Sequence, residues 1–596
     1  MPELDILHGF EYATLQLKER WHKLYGQPLT AYLQIFPRVF AIGTKKKPYT
    51  TCTVDTGELC DYQESLEPVP DGYTPDKFDL SKAQGKPFAR YLKPLTAGEL
   101  FVKARGKEIV FAAGYHLIRA HFGLEGTIVI VKTDDYKSMV ANDCRGNNPD
   151  AAKASRMRSF IVPAHLTDAG ARGSQHGERQ QRMAIFAALV GLEHTILLVD
   201  HNRLLRIHVM SRAKHWTCKD LNPEAQKIWP ALWSENHGPD WIYETEAAEL
   251  ALDHWRQCVL DQAALLPPSQ VAMEPSLLDV MCGSQDIFNG YGQHTAHDVL
   301  HTLRLFPTTS PTYVCSNDTV FKRFKDGLSV YAKQFVSDTY RERCLCKPNR
   351  LSPLSFNYTS NDNYLHQYLK VYRKSTTWMS RDEYNAFACE GLFNREHVIG
   401  EPYEVQPHEL INASQKEVPV YQFTQAGKNP VYSVIIAQRP ASWRYGVDQV
   451  DEIAPDARDA GFSTTLGPAS FHMFKENQYG WEQKGKPGRK PLLHTGKRGR
   501  PARAIPRVED LRYRASRGTA AHARALTLVH KDDIPPPKRA RLSRAVDPQA
   551  CHSDRITRSQ SRSSTSSIGL SPSDMSPVSV TMSVDTSVAT APTSLL

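Results

Sequence analysis

The first 480 positions carry apolar runs separated by polar punctuation. Thr127-Ile128-Val129-Ile130-Val131, bounded by glycine and by Asp134-Asp135, predicts a buried strand. Phe160-Ile161-Val162 predicts another, ahead of the loop Asp168 to Ser174. A helix is expected over Glu178 to Val190, leading to a strand Thr195-Ile196-Leu197-Leu198-Val199 that ends at Asp200. Asp200-His201-Asn202-Arg203 reads as a turn into Leu204-Leu205-Arg206-Ile207-His208-Val209. The clearest helix begins at Thr245, with Glu246 and Glu249 suited to its positive end, and Leu252, Trp255, Val259 and Ala263 recur at helical spacing until Pro267-Pro268. Leu365, Tyr368, Leu369 and Tyr372 form a second helical stripe. Val420 to Phe423 and Val431 to Ala437 predict a hairpin across Ala426 to Pro430.

Beyond Trp481 this patterning stops. Large apolar residues thin out, and Gly, Pro, Lys and Arg take over. From His552 onward, 20 of 45 residues are Ser or Thr, too few apolar groups to offset the entropy of ordering the chain. A disordered tail is therefore expected.

The chain has 596 residues, 41% hydrophobic and 23% charged, which fits a multi-domain globular protein rather than a coiled coil or a wholly disordered chain. No apolar run reaches membrane-spanning length, and Met1 to Asp5 lacks the pattern of a secretory signal. Eleven scattered cysteines form neither a CxxC zinc framework nor a disulfide scaffold, so a reducing compartment is expected.

Charge changes the picture once it is divided along the chain. Of the total +9, residues 481–544 carry +13 (18 Lys and Arg against five acids) and residues 545–596 carry −1, leaving −3 for 1–480. A near-neutral body thus bears an arm suited to a polyanion. Within the arm, Lys497-Arg498-Gly499-Arg500-Pro501 is followed by Arg503. Glycine lets the backbone lie close to the floor of a minor groove about 6 Å wide while the arginines extend along it. A·T tracts narrow that groove and deepen its negative potential.

These residues resemble the AT-hook of high-mobility-group A and other chromatin proteins. The resemblance spans about 20 residues and implies that Arg498, Gly499 and Arg500 insert, that Pro501 restrains the exit, and that Lys497 and Arg503 meet phosphates. Eleven residues upstream, Pro487-Gly488-Arg489-Lys490-Pro491 looks like a degenerate copy, with Pro487 in place of the first arginine and Lys490 interposed before the proline. Two hooks on one arm would raise avidity. Pro535-Pro536-Pro537 followed by Lys538, Arg539 and Arg541 resembles a nuclear-localisation signal. Ser571-Pro572 and Ser576-Pro577 resemble proline-directed kinase sites.

Other constellations are weaker. His294, His297 and His301, with Asp298, fall on one helix face, a spacing at which imidazoles could share a metal. The His-Asp pair resembles HD-type metal phosphohydrolases, although the further histidine and aspartate of that pattern cannot be placed. Gly170, Gly173 and Gly177 lie where a phosphate loop would, without its Lys-Ser/Thr ending. Asp134, Asp135 and Asp200 sit at strand ends, as the carboxylates of a ribonuclease-H-like nuclease would. His215 and Cys218 are a lone pair.

The sequence therefore predicts an α+β or mixed α/β multi-domain body, divided at 1–266 and 276–480, a basic AT-hook-like arm at 481–544 and a disordered tail at 545–596. The expected function is nuclear, chromatin- or transcription-associated DNA binding without catalysis, metal or cofactor. The expected partners are A·T-rich double-stranded DNA, a nuclear import receptor and a proline-directed kinase, with no membrane. The alternatives are a metal-dependent nucleic-acid-processing enzyme, of mobile-element or viral nuclease type, and a protein-interaction scaffold.

Overall fold

The structure is a computed structural model that describes residues 2–36, 43–44, 47–48, 52–55, 57, 61, 87–92, 95–123, 126–144, 159–166, 182–200, 204–265, 274–345, 360, 363–393, 415–424, 429–435 and 448–454. Contacts divide the chain into Met1–Val529 and His530–Leu596, and every described residue belongs to the first unit. The arm and tail predicted for 481–596 lie outside the described residues.

The body is α+β. Helix α1 (Leu4–Tyr25) precedes nine strands, β1 (Thr30–Ile35), β2 (Cys52–Val54), β3 (Gly98–Arg105), β4 (Glu108–Ala113), β5 (His116–His121), β6 (Gly126–Lys132), β7 (Ile185–Gly191), β8 (His194–Asp200) and β9 (Arg206–Ser211). They form one sheet in the order β2-β9-β5-β4-β3-β1-β7-β8-β6, antiparallel except for β9 beside β2. Both faces are covered, which is why the strands read as nearly continuous apolar runs. Leu100, Val102, Ile109, Phe111, Ile118, Leu189 and Leu198 face one core together with Leu7, Phe10, Leu17 and Trp21 of α1. Their alternates Phe101, Val110 and Leu117 pack on Trp216, Trp229 and Trp233, while Val129, Val131, Ile185 and Leu197 pack on Tyr136 and Met139 of α2 (Thr133–Ala141). Each fully buried large side chain contributes roughly 1.5–3 kcal/mol.

The helix expected over Glu178 to Val190 is not formed where the chain is described. Ile185 to Gly191 is β7, the strand between β1 and β8, buried at every position. A six-residue apolar run has no period to distinguish strand from helix, and here burial on both faces decides for strand. The strands expected at 127–131, 160–162 and 195–199 are present.

A second core begins at Trp241. Ala248, Leu252 and Trp255 of α3 (Thr245–Leu265) pack with α4 (Leu277–Gly283), α5 (Gln293–Thr302), α6 (Pro311–Ser316) and α7 (Asp318–Lys333). Phe387 of α8 (Arg381–Cys389) and Val420, Phe423 and Val431 of the expected hairpin join the same cluster. The stripe from Leu365 to Tyr372 makes only one wide helical turn, Tyr364–Tyr368, before the chain extends. Leu4 belongs to this second core and Leu7 to the first, so the segment entering α1 joins the two.

Candidate functional site

That joining segment carries a set of buried ionisable groups. Helix α1 forms because Leu7, Phe10, Thr14, Leu17 and Trp21 recur on one face, and it ends at Gly26, which adopts φ +68° and donates to His22 O at 2.8 Å. Ahead of it, Glu3 lies against the N-terminus of α5. Its carboxylate accepts from His294 N at 3.2 Å, Thr295 N at 2.8 Å and Thr295 Oγ1 at 2.6 Å, so it caps the helix from about 290 residues away in sequence. Asp5 accepts from the Tyr364 hydroxyl at 2.6 Å and lies 3.7 Å from His294, whose other ring nitrogen lies 3.5 Å from Asp298. Asp298 in turn accepts from Lys370 N, Val371 N and Tyr372 N at 2.8–3.0 Å.

The hairpin tip between β3 and β4 completes the group. Gly106 takes φ +56°, donates to Asp240 at 2.8 Å, and a side chain there would collide with Asn289. Lys107 N donates to Asn289 Oδ1 at 3.2 Å, and Asn289 Nδ2 donates to Gly238 O at 2.7 Å. The tip is thereby fixed, and it directs Lys107 into the interior.

Charge balance follows from these contacts. Burial alone would push the His294 imidazole down, but Asp5, Asp298 and Glu3 outweigh it and raise its pKa to about 9, so it is a cation at neutral pH. Burial works against the Glu3 carboxylate, yet His294, Lys107 and the bonds from Thr295 hold it below its ordinary range. Burial and the nearby Glu3 raise Asp5, against the pull of His294 and Tyr364. The Lys107 ammonium is lowered by burial, against Glu3 and Cys282. Burial pushes the Cys282 thiol up to about 12.

The three histidines of α5 share a face, as their spacing predicts, but they do not share a task. His297 and His301 are buried among aromatic rings, Tyr372 and Tyr432 for the first and Phe387 for the second, and burial pushes each down to about 4. They are neutral packing groups. Among the described residues no three His, Cys, Asp or Glu side chains converge to hold a metal ion. Asp134 and Asp135 open α2, and Asp135 pairs with His165 at 2.7 Å. Asp200 accepts from Leu204 N at 2.7 Å. Because β6 and β8 run antiparallel, with Asp200 opposite Gly126 and His194 opposite Lys132, Asp200 lies at the far end of the pair from Asp134, roughly 20 Å away. The strand-end carboxylates therefore do not form one site.

His215 packs edge-on against Tyr115, and Cys218 is exposed. The glycines at 170, 173 and 177 lie outside the described residues, as do Gly488, Arg489, Lys490, Lys497, Arg498, Gly499, Arg500, Pro501, Arg503, Lys538, Arg539 and Arg541. Sequence patterning does not single out Glu3, Asp5, Lys107 or Tyr364. The available signal is an acid at each of positions 3 and 5 beside the apolar positions of α1; a lysine in a two-residue hairpin turn ordinarily faces water.

No family model matches this chain, and no curated protein matches it. Among solved structures, it is similar to the Lactococcus lactis formamido-pyrimidine DNA glycosylase bound non-covalently to an AP-site-containing DNA, with 9% identity and a TM-score of 0.34, over 74% of this chain and 100% of that one. It is also similar to MutM in complex with DNA containing carbocyclic 8-oxo-G, with 9% identity and a TM-score of 0.34, over 73% of this chain and 98% of that one. Likeness at this level carries no conclusion about what this chain binds or does.

Proposed function

We propose that this is a nuclear, chromatin- or transcription-associated DNA-binding protein whose basic arm at 481–544 contacts the minor groove of A·T-rich DNA. The observation that carries the reading is the concentration of +13 in 64 residues around a complete Arg-Gly-Arg-Pro core. Arg498, Gly499 and Arg500 insert; Lys497, Arg503, Arg489 and Lys490 neutralise phosphates. Lys538, Arg539 and Arg541 engage an import receptor, and kinase action at Ser571 and Ser576 would place about −2 each near the arm.

Insertion and mere charge are separated by two substitutions in the full chain. Arg500→Lys keeps the charge but exchanges a planar guanidinium for a strongly hydrated ammonium. It should reduce the preference for A·T over G·C duplexes by about 1 kcal/mol while leaving the salt slope nearly intact, and Arg503→Lys should matter less. Competition between the two duplexes at fixed ionic strength reads this out. An unmodified chain without A·T preference would reduce the arm to a generic polycation. For location, replacing Lys538, Arg539 and Arg541 with alanine should weaken nuclear accumulation of the tagged protein; unchanged import removes that cluster from the reading.

A further inference from the structure

Helix α3 meets the second core with one face only. Ala248, Leu252 and Trp255 are buried on that face. Arg256 donates to Cys315 O at 2.8 Å, and Asp253 pairs with Lys325 at 2.7 Å, so the helix is held against α6 and α7. At 3.6 residues per turn, Leu250, His254, Cys258, Asp261 and Leu265 fall within about 80° of one another on the side turned away from the core, along about 22 Å of the axis. All five are exposed, Leu250 at 70% and Leu265 at 83%.

In the middle of this face the Cys258 sulfur lies 3.7 Å from His254 Nε2. A thiolate about 2.3 Å and an imidazole nitrogen about 2.0–2.1 Å from a tetrahedral Zn2+ stand about 3.6 Å apart. The separation is therefore that of two neighbouring ligands of one ion. Neither of the other exposed thiols among the described residues, Cys218 and Cys389, has an imidazole so placed. Asp261 is engaged by Gln257 Nε2 at 2.8 Å, and no third His, Cys, Asp or Glu among the described residues converges on the pair. Half of a tetrahedron is thus left open, between two exposed leucines. A two-fold axis beside the helix supplies the other half from the same residues and covers Leu250 and Leu265 of both copies, whereas water ligands would leave them bare.

We propose that His254 and Cys258 form half of a zinc site completed by the same pair of a second copy, so that one ion joins two chains along the exposed face of α3. Each thiol gives its proton to solvent on binding, and two sulfurs and two ring nitrogens donate electron pairs to the ion. Nothing is oxidised or reduced; two protons are released per ion, and two thiolates balance its charge. The inference concerns the body, goes beyond the DNA-binding reading and is independent of it.

The test titrates the reduced, metal-free full chain with Co2+, which enters tetrahedral zinc sites and reports thiolate ligation by its visible absorption, while sedimentation velocity follows the mass. Absorption should saturate at one ion per two chains as monomer converts to dimer, excess Zn2+ should displace the colour, and EDTA should restore the monomer. Cys258→Ser and His254→Ala should each lose both signals with the melting temperature unchanged, because both side chains are exposed. Cys218→Ser and Cys389→Ser should keep them. Leu265→Glu should raise the chain concentration needed for dimerisation several-fold. Saturation at one ion per chain without a change in mass would reduce the pair to an open chelate and overturn the proposal. Absence of thiolate–cobalt absorption, equal signals in Cys258→Ser, or a dimer that persists in EDTA overturns it as well.

Discussion

Replacing His294 with alanine should cost about 3–5 kcal/mol of unfolding free energy in denaturant titration, among the largest effects of any single substitution in the body. The reason is not the loss of a contact but what remains. Glu3, Asp5 and Asp298 are all buried, at 6%, 0% and 0% exposure, and His294 is the cation they surround. Without it, three carboxylates either stay charged in a low dielectric or take up protons, and both are costly. His297→Leu, three residues along the same helix face, should cost less than about 1.5 kcal/mol, because it replaces a neutral ring whose Nε2 already lacks a partner with an apolar side chain. Equal costs at the two positions would show that the histidines are interchangeable packing groups and that the charge assignment is wrong.

Stability should peak near pH 6.5 and fall on both sides. His294 and His8 have pKa values raised to about 9, His8 through Asp240 and Glu11 acting against its burial. A raised value means the folded state holds the proton more tightly, so this stability is fully present below the unfolded pKa of 6.5 and is lost as pH rises through 9. His297 and His301, at about 4, behave oppositely. The unfolded chain protonates them first, so stability falls as pH drops from 6.5 toward 4. Each group contributes on the order of 3 kcal/mol over its window. Below the usual carboxylate range the depressed Glu3, Glu11 and Asp298 add to the acid loss. Thermal melts from about pH 4 to about pH 9 should show both limbs, and His297→Leu should flatten the acid limb alone. A profile unchanged by that substitution would mean His297 titrates normally.

Local pattern is enough to place several elements. The β-branched run at 127–131 and the apolar run at 195–199 are strands because such side chains suit a pleated, doubly covered sheet. The helix from Thr245 is legible because Leu252, Trp255, Val259 and Ala263 keep a helical period over about three turns. The hairpin at 421–433 is legible from its turn residues. Ile185 to Val190 is misassigned by pattern because six apolar residues carry no period, and only its place between β1 and β8 selects the strand.

The spacing of His294, His297 and His301 correctly puts them on one face of a helix, and it says nothing of their protonation. That is decided by residues distant in sequence: Asp5 from the start of α1 meets the first, while aromatic rings from 372, 387 and 432 surround the others. Lys107 shows the same division. Gly106 takes the positive φ that the tight turn between β3 and β4 needs, at no steric cost. Burial of that turn depended on Asp240 and Asn289 docking onto it from the helical part of the chain. By itself the sequence determined an α+β or mixed α/β body and the concentration of charge at 481–544, since composition and periodicity are local quantities. Only tertiary structure decided which charges lie buried together, because desolvation and Coulomb energy depend on neighbours in space that no local window contains.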